Sequence, residues 1–268
     1  MTNAQLTLLV REGVGRIQGN ASRLMKIALY ILIFATAIGL LIDTSRSQKE
    51  VLERERSASN TFLDQVLRED KDQAFVVHFD TRVETLQGLT SSRSELASAL
   101  GQLSIPDEIA TFLYSAIRES SENFTGKKPP GRKALILLTN GVAYKDPTSI
   151  EAAIESAQRA DTILYAIRFA DPPSFRGPVR TAILAGASEH GKHGLQRMAK
   201  ETGGAYYEVT KSQTIEAIYS QIEDALRNQY SIGYTPGRQA ADGKYHKIKL
   251  TTTDHHLIVD TRDGYYAK

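Results

Sequence analysis

The residues best placed to do chemistry stand together at Asp43-Thr44-Ser45-Arg46-Ser47. They close an apolar run, 37–43, and open a stretch of helical periodicity. One carboxylate and two hydroxyls at this spacing suit a hard divalent cation such as Mg2+, which takes oxygen ligands in near-octahedral geometry. With so few charged donors, a bound ion would stay under-neutralised and keep affinity for an external acidic ligand. Ser and Asp at a helix start are also ordinary N-caps, so the pentapeptide alone leaves both readings open. A second apolar run, 134–140, ends on Asn140. Open α/β sheets bind ligands at the carboxyl ends of their strands, and that rule points to Asp43 and Asn140.

Other candidates are weaker. The six histidines show no convergent set; five of them are His190 and His193, in a segment rich in Pro, Gly and Ala, His255 and His256, at a turn, and His78, inside a strand pattern. Zinc needs His and carboxylates converging on rigid elements. The chain has no cysteine, which excludes disulfides, thiolate metal sites and a Cys nucleophile. It holds no G-x-S-x-G, Walker loop or H-E-x-x-H. Asp43 and a hydroxyl lack the base and nucleophile pairing of a hydrolase, so no catalytic residue and no enzyme activity is expected. The tyrosines at 206, 207, 230, 234, 265 and 266 read as strand packing rather than as a ligand platform.

The elements that must carry these residues alternate. Strands are expected at 37–43, 73–80, 134–140, 162–169 and 205–209, with a short edge strand at 83–86. Helices are expected at Ser47–Glu69, Ser91–Leu103, Thr111–Phe124, Ser149–Arg159, Gly194–Thr202 and Thr214–Arg227. This order means a mostly parallel sheet with helices on both faces. The prolines at 172, 173 and 178 predict a long mobile loop over Ala170–Lys192. The last forty or so residues switch to strand alternation and predict a small antiparallel extension, with Asp263-Gly264 as a turn.

The 268 residues hold 41% hydrophobic and 24% charged side chains, a globular balance with enough material for one large core. A net charge of +2, with the basic residues spread out, argues against nucleic acid as the main partner. Ile27 to Ile42 carries no charge and follows Arg23 and Lys26. That run is short for a spanning helix, and Ala35-Thr36-Ala37 resembles an export cleavage site. Residues 1–37 are therefore expected to be an export signal or short membrane anchor, 38–227 the main domain and 228–268 the β extension.

The pentapeptide, its strand and its helix resemble the metal-ion-dependent adhesion site of von Willebrand factor A domains. Segments 41–48, 72–80, 111–117, 131–141, 228–236 and 262–267, in that order, resemble a bacterial von Willebrand factor A-related family abundant in acidobacteria. The resemblance runs from about Ile38 to Lys268 and implies a Rossmann-like fold with a metal site at the sheet's upper rim. By the family's pattern Ser45 and Ser47 would bind the metal directly and Asp43 largely through water. Thr111 would add a direct ligand, although Glu108-Ile109-Ala110 stand where the family has glycines. Asn140 replaces the family's aspartate in Thr139-Asn140-Gly141. The resemblance thus implies a non-catalytic binding module that holds Mg2+, Mn2+ or Ca2+ weakly or not at all. Its partner would be a protein presenting an acidic residue, met outside the cytoplasm. The alternative is an interaction scaffold whose metal site has been lost.

Overall fold

A computed structural model describes residues 4–10, 28–30, 35–68, 70–126, 131–169, 178–234, 243–251 and 259–267. Its centre is a six-stranded sheet built from β3 (Thr36–Asp43), β4 (Gln73–Phe79), β5 (Val83–Thr90), β6 (Arg132–Thr139), β7 (Ile163–Phe169) and β8 (Tyr206–Val209). The strand order is β5-β4-β3-β6-β7-β8, and only β5 runs antiparallel to its neighbour. The expected α/β class is what the chain adopts.

Helices cover both faces because the central strands are apolar on both sides. Ile38, Leu40 and Ile42 of β3, with Ala134, Ile136 and Leu138 of β6, pack under α1 (Leu52–Val66), α2 (Arg93–Gly101) and α6 (Ile215–Arg227). Ala37 and Leu41, with Leu135 and Leu137, face α3 (Leu113–Gly126), α4 (Ile150–Arg159) and α5 (Pro178–Thr202). Strands buried on both faces read as continuous apolar runs, and these do. Ser92, Ser149 and Thr214 cap α2, α4 and α6 by accepting hydrogen bonds from Glu95 N, Ala152 N and Ala217 N.

Two helices differ from expectation at their starts. The periodicity from Ser47 suggests an immediate helix, but Arg46–Gln48 form a 3-10 turn and α1 begins only at Leu52. The segment expected as a mobile loop, Ala170–Lys192, is helical from Pro178, and α5 runs unbroken to Thr202. Pro178 sits at the first helical position, where its missing N–H leaves no bond unmade. Residues 170–177 lie outside the described residues.

The chain's two ends meet. β1 (Ala4–Val10) and β2 (Ala28–Tyr30) form an antiparallel sheet with β9 (Gln229–Tyr234) and β11 (Val259–Thr261), in the order β11-β1-β9-β2. The expected extension therefore takes strand partners from the first 37 residues. A separate two-stranded sheet joins β10 (Tyr245–Lys247) to β12 (Gly264–Tyr266), so Gly264, expected in a turn, is paired with Lys247. Arg159 of α4 lies 3.9 Å over the Tyr266 ring, and Tyr245 packs 5.2 Å from Tyr266, which is strand packing. Among the described residues no helix is long and apolar enough to cross a membrane.

Candidate functional site

Parallel strands β3, β4 and β6 bring the loops after Asp43, Phe79 and Thr139 to one end of the sheet. Asp43 is fully buried there. Its Oδ1 accepts from Ser45 N at 2.9 Å, and its Oδ2 accepts from Thr139 Oγ1 at 2.5 Å. Thr139 in turn accepts from Gly141 N at 3.0 Å. One carboxylate thus ties the first loop to the third.

Ser45 and Ser47 turn their hydroxyls toward each other, 3.1 Å apart. Asn140 Nδ2 donates to Ser47 Oγ at 2.9 Å, and Gln48 Nε2 makes a longer contact of 3.4 Å to the same atom. With two donors directed at it, Ser47 has its own proton left for Ser45. Asn140 Oδ1 accepts from Val142 N at 3.0 Å, which sets the amide's orientation. Ser47 is exposed, whereas Asp43, Ser45 and Asn140 are buried, so the cluster opens to solvent at Ser47.

Thr111 joins by another route. It forms an isolated bridge with Tyr144: Thr111 N donates to Tyr144 O at 2.9 Å and Tyr144 N to Thr111 O at 3.1 Å. It is thereby tied to the loop that carries Asn140, while its hydroxyl makes no hydrogen bond to Asp43, Ser45, Ser47 or Asn140. The adjacent Phe112 N donates to Asp80 O at 2.9 Å. Thr44 Oγ1 donates to Asp80 Oδ2 at 2.8 Å, and His78 Nδ1 lies 2.9 Å from the same hydroxyl. Burial pushes the Asp80 carboxyl up, but hydrogen bonds from His78, Thr44 and Thr81 outweigh it and hold its pKa down to about 2. His78 is thus a partnered buried histidine, as its strand position suggests.

A divalent cation fits this donor set only in part. Ser45 and Ser47 offer two hydroxyl oxygens, the donor type such an ion takes, while both oxygens of Asp43 are engaged by Ser45 N and Thr139 Oγ1. The third loop offers the wrong group: Asn140 directs an NH2 at Ser47, and its oxygen is engaged by Val142. Among the described residues no three His, Cys, Asp or Glu side chains cluster closely enough to hold a metal.

Several residues with structural roles at this rim carry no sequence motif. Arg168 of β7 is buried, and its Nε donates to Asn140 O at 3.2 Å. The same guanidinium donates to Glu208 Oε1 and Ser188 Oγ, both at 2.5 Å, so it links the Asn140 loop to β8 and α5. Burial works against the Glu208 carboxylate, but Arg168 overcomes this and keeps its pKa below the ordinary value. Asp146 caps α3 from a distant loop, accepting from Tyr114 N and Ser115 N at 2.6 and 3.2 Å. Glu55 of α1 is buried beneath the rim, and neither carboxylate oxygen has a hydrogen-bond partner. Its pKa is raised well above 4.5, first by burial and then by the nearby Asp43 charge. A lone acid at a buried helix position would have marked Glu55 in the sequence; nothing local marks Arg168 or Asp146.

No curated protein matches the chain. Solved structures match its fold. A von Willebrand factor domain of the type V pili tip protein Mfa5 from Porphyromonas gingivalis aligns with a TM-score of 0.55 at 11% identity, over 72% of this chain and 95% of that one. The pilus adhesin SpaC from Lactobacillus rhamnosus GG gives 0.57 at 12% identity, over 88% and 38%. An aerotolerance-related membrane protein from Bacteroides fragilis gives 0.53 at 17% identity, over 71% and 98%. A family model, the von Willebrand factor type A domain, matches residues 37–221. With the open sheet and the Asp43-x-Ser45-x-Ser47 loop at its carboxyl end, the chain belongs to the von Willebrand factor type A domain family.

Proposed function

We propose that this chain is a non-catalytic protein-binding module of adhesion or assembly type. It engages an acidic side chain of its partner at the rim formed by Ser45, Ser47, Thr111 and Asn140. What carries the reading is that bonds from Asp43, Ser47 and Thr111 join separate loops into one cluster that opens to solvent at Ser47. The structural likeness to a pili tip protein and a pilus adhesin supports a binding role.

The site's hold on Mg2+, Mn2+ or Ca2+ is weak, because Asn140 brings no charge and its amide occupies Ser47. One observation favours the second reading, a scaffold that has lost its ion: the third loop supplies the uncharged amide of Asn140 where the family has a carboxylate. We place the protein outside the cytoplasm; residues 1–37 supply β1 and β2 to the sheet with β9 and β11, a role at odds with a membrane-embedded segment. That stretch is better retained than cut after Ala37. Such a cut would fall inside β3 and remove Thr36, whose N–H donates to Asp72 Oδ1 at 2.8 Å.

The test is affinity capture from the native host with wild type and Ser47→Glu, each with Mg2+ and with EDTA. Ser47 is exposed, so the variant should fold, which a thermal melt verifies. Partners that wild type retains and Ser47→Glu loses in EDTA, by repulsion of their acidic side chain, support the rim as the binding site. Identical captures by the two proteins would reject it.

A further inference from the structure

Asn140 and Gly141 form the one Asn-Gly pair in the chain. An asparagine amide is open to attack by the backbone nitrogen of the next residue. Glycine there leaves no Cβ to crowd the ring that forms. The fold surrounds this pair with the groups that such an attack needs.

The nucleophile is Gly141 N. It donates to Thr139 Oγ1 at 3.0 Å, and Thr139 donates in turn to Asp43 Oδ2 at 2.5 Å. The Asp43 carboxylate can therefore draw the proton of Gly141 N through the threonine hydroxyl, each atom already within hydrogen-bond reach of the next. The electrophile is Asn140 Cγ. Its oxygen accepts from Val142 N at 3.0 Å, a bond from side chain to backbone two residues on that folds the amide over the Gly141 peptide. The same N–H faces the atom on which negative charge gathers as Cγ becomes tetrahedral. The leaving nitrogen, Nδ2, donates to Ser47 Oγ at 2.9 Å, where the cluster opens to solvent. Gly191 of α5 lies against Gly141 O and holds that peptide in place. Attacking and attacked groups are thus kept in one orientation before any bond forms.

We propose that Asn140 is a modification site, deamidated in the folded protein by a reaction that its own surroundings promote. Gly141 N passes its proton to the Thr139–Asp43 relay and bonds to Asn140 Cγ. The Cγ–Nδ2 bond breaks, and the nitrogen leaves at Ser47 as ammonia, taking up there one proton for the one that Gly141 gave. A succinimide ring then joins the two residues, and water opens it. Opening at Cγ restores the main chain and leaves an aspartate side chain. Opening at the main-chain carbonyl leaves isoaspartate, with the chain running through Cγ. The amide and one water have become a carboxylate and an ammonium ion, with no oxidant or reductant. The reaction runs once per chain. Either product adds a negative charge beside Ser47, where Asn140 now places a neutral donor, so the charge of the rim changes with the age of the protein. This holds whether or not the rim binds a partner.

The test incubates the full chain in water enriched in heavy oxygen and digests it in ordinary water. Trypsin releases residues 134–145, bounded by Lys133 and Lys145. Mass spectrometry finds heavy oxygen in that peptide only if the amide was lost before digestion. Synthetic standards with aspartate or isoaspartate identify the products. The reference rate is that of the synthetic peptide 134–145 with its asparagine intact and no fold around it. The folded protein should react at least about tenfold faster than the peptide, the least expected of a base relay and an oriented amide. Thr139→Val keeps the side-chain shape and deletes the relay, and should slow the folded chain by about tenfold or more. Thr139→Ser keeps the hydroxyl and should stay within about threefold of wild type. Thermal melts show whether each variant is folded.

A folded protein that reacts no faster than the peptide would overturn the proposal, because the fold would then shield Asn140. That comparison uses wild type alone, so it decides the matter even if Thr139→Val does not fold. Equal rates in wild type and a folded Thr139→Val would overturn the relay.

Discussion

A single side chain, Asn140, decides how the rim treats charge. Its NH2 donates to Ser47 and its oxygen accepts from Val142. Asn140→Asp removes the donor, frees the Ser47 oxygen and adds a carboxylate. At partial exposure two unit charges a few ångströms apart are worth about 1–4 kcal/mol. The variant should therefore bind Mg2+ at least about tenfold more tightly than wild type, about 1.4 kcal/mol. Ser45→Ala on that background should abolish the gain. Calorimetric titration of Mg2+ and Mn2+ checks both, and no gain in Asn140→Asp would mean that these residues share no ion. Glu55 makes a separate prediction. Its carboxyl holds a proton in the fold to higher pH than the ordinary 4.5 of an unfolded chain. In the window above 4.5 the folded state binds more protons, so stability falls as pH rises through it. Glu55→Gln should lie close to wild type at the acidic end of the window and grow progressively more stable than it toward pH 8. Urea melts across that range measure the gap, and a gap independent of pH would show that Glu55 is ionised in the fold.

At the scale of elements, α5 is the helix that bears on the rim most directly. Gly191 lies against Gly141, one residue after Asn140. A Cβ at Gly191 would stand 2.6 Å from Gly141 O, and Gly141 itself has φ +89°. Backbone meets backbone here, so neither residue can carry a side chain without moving the Asn140 loop. Gly191→Val should destabilise the fold by about 1–3 kcal/mol, as overpacking does, and should shift the amide signals of residues 139–142. Gly186, on the same helix, is the contrast, because a methyl group there would meet nothing within 4 Å. Gly186→Ala should stabilise by about 0.5–1 kcal/mol through helix propensity alone. Denaturant melts of the two variants separate contact from propensity, and similar effects from both would place α5 away from the loop. The same helix carries Ser188, which accepts from Arg168, so α5, β7 and Asn140 are bonded in series.

At the scale of the whole molecule, the end of the apolar run before Asp43 matters. Thr36 and Ala37 are buried, paired with Arg132 and Lys133 of β6, and tied to Asp72. Asp72 also pairs with Arg68 at 2.7 Å, so Thr36 closes a junction between α1 and β4. A chain beginning at Ile38 loses this junction. It should be less stable than one beginning at Ala35 by about 1–3 kcal/mol, the penalty for leaving a buried acceptor short of a donor. Thermal melts of the two chains test this, and equal stability would restore Ala37 as a tolerable cut. N-terminal sequencing of the protein from its host shows which end it keeps.

The order of apolar strands and amphipathic helices by itself determined the α/β class. Strands buried on both faces and capped helices leave local signatures that do not depend on what packs against them. Asp43, Ser45, Ser47 and Asn140 were legible for the same reason, since each stands at the end of an apolar run or the start of a helix. The tertiary structure alone decided how they meet. Asn140 turns a donor toward Ser47 because Val142 N–H claims its oxygen, and Thr111 joins through the backbone of Tyr144. Neither bond can be read from spacing. The first part of α5, residues 178–192, was hidden by its proline and glycines, which lower local propensity, whereas Gly194–Thr202 was legible. Its packing against Gly141 rewards the glycine that propensity penalises. Tyr144 and Arg168 carry no local signal, because a shared rim and a buried guanidinium exist only once the strands are assembled.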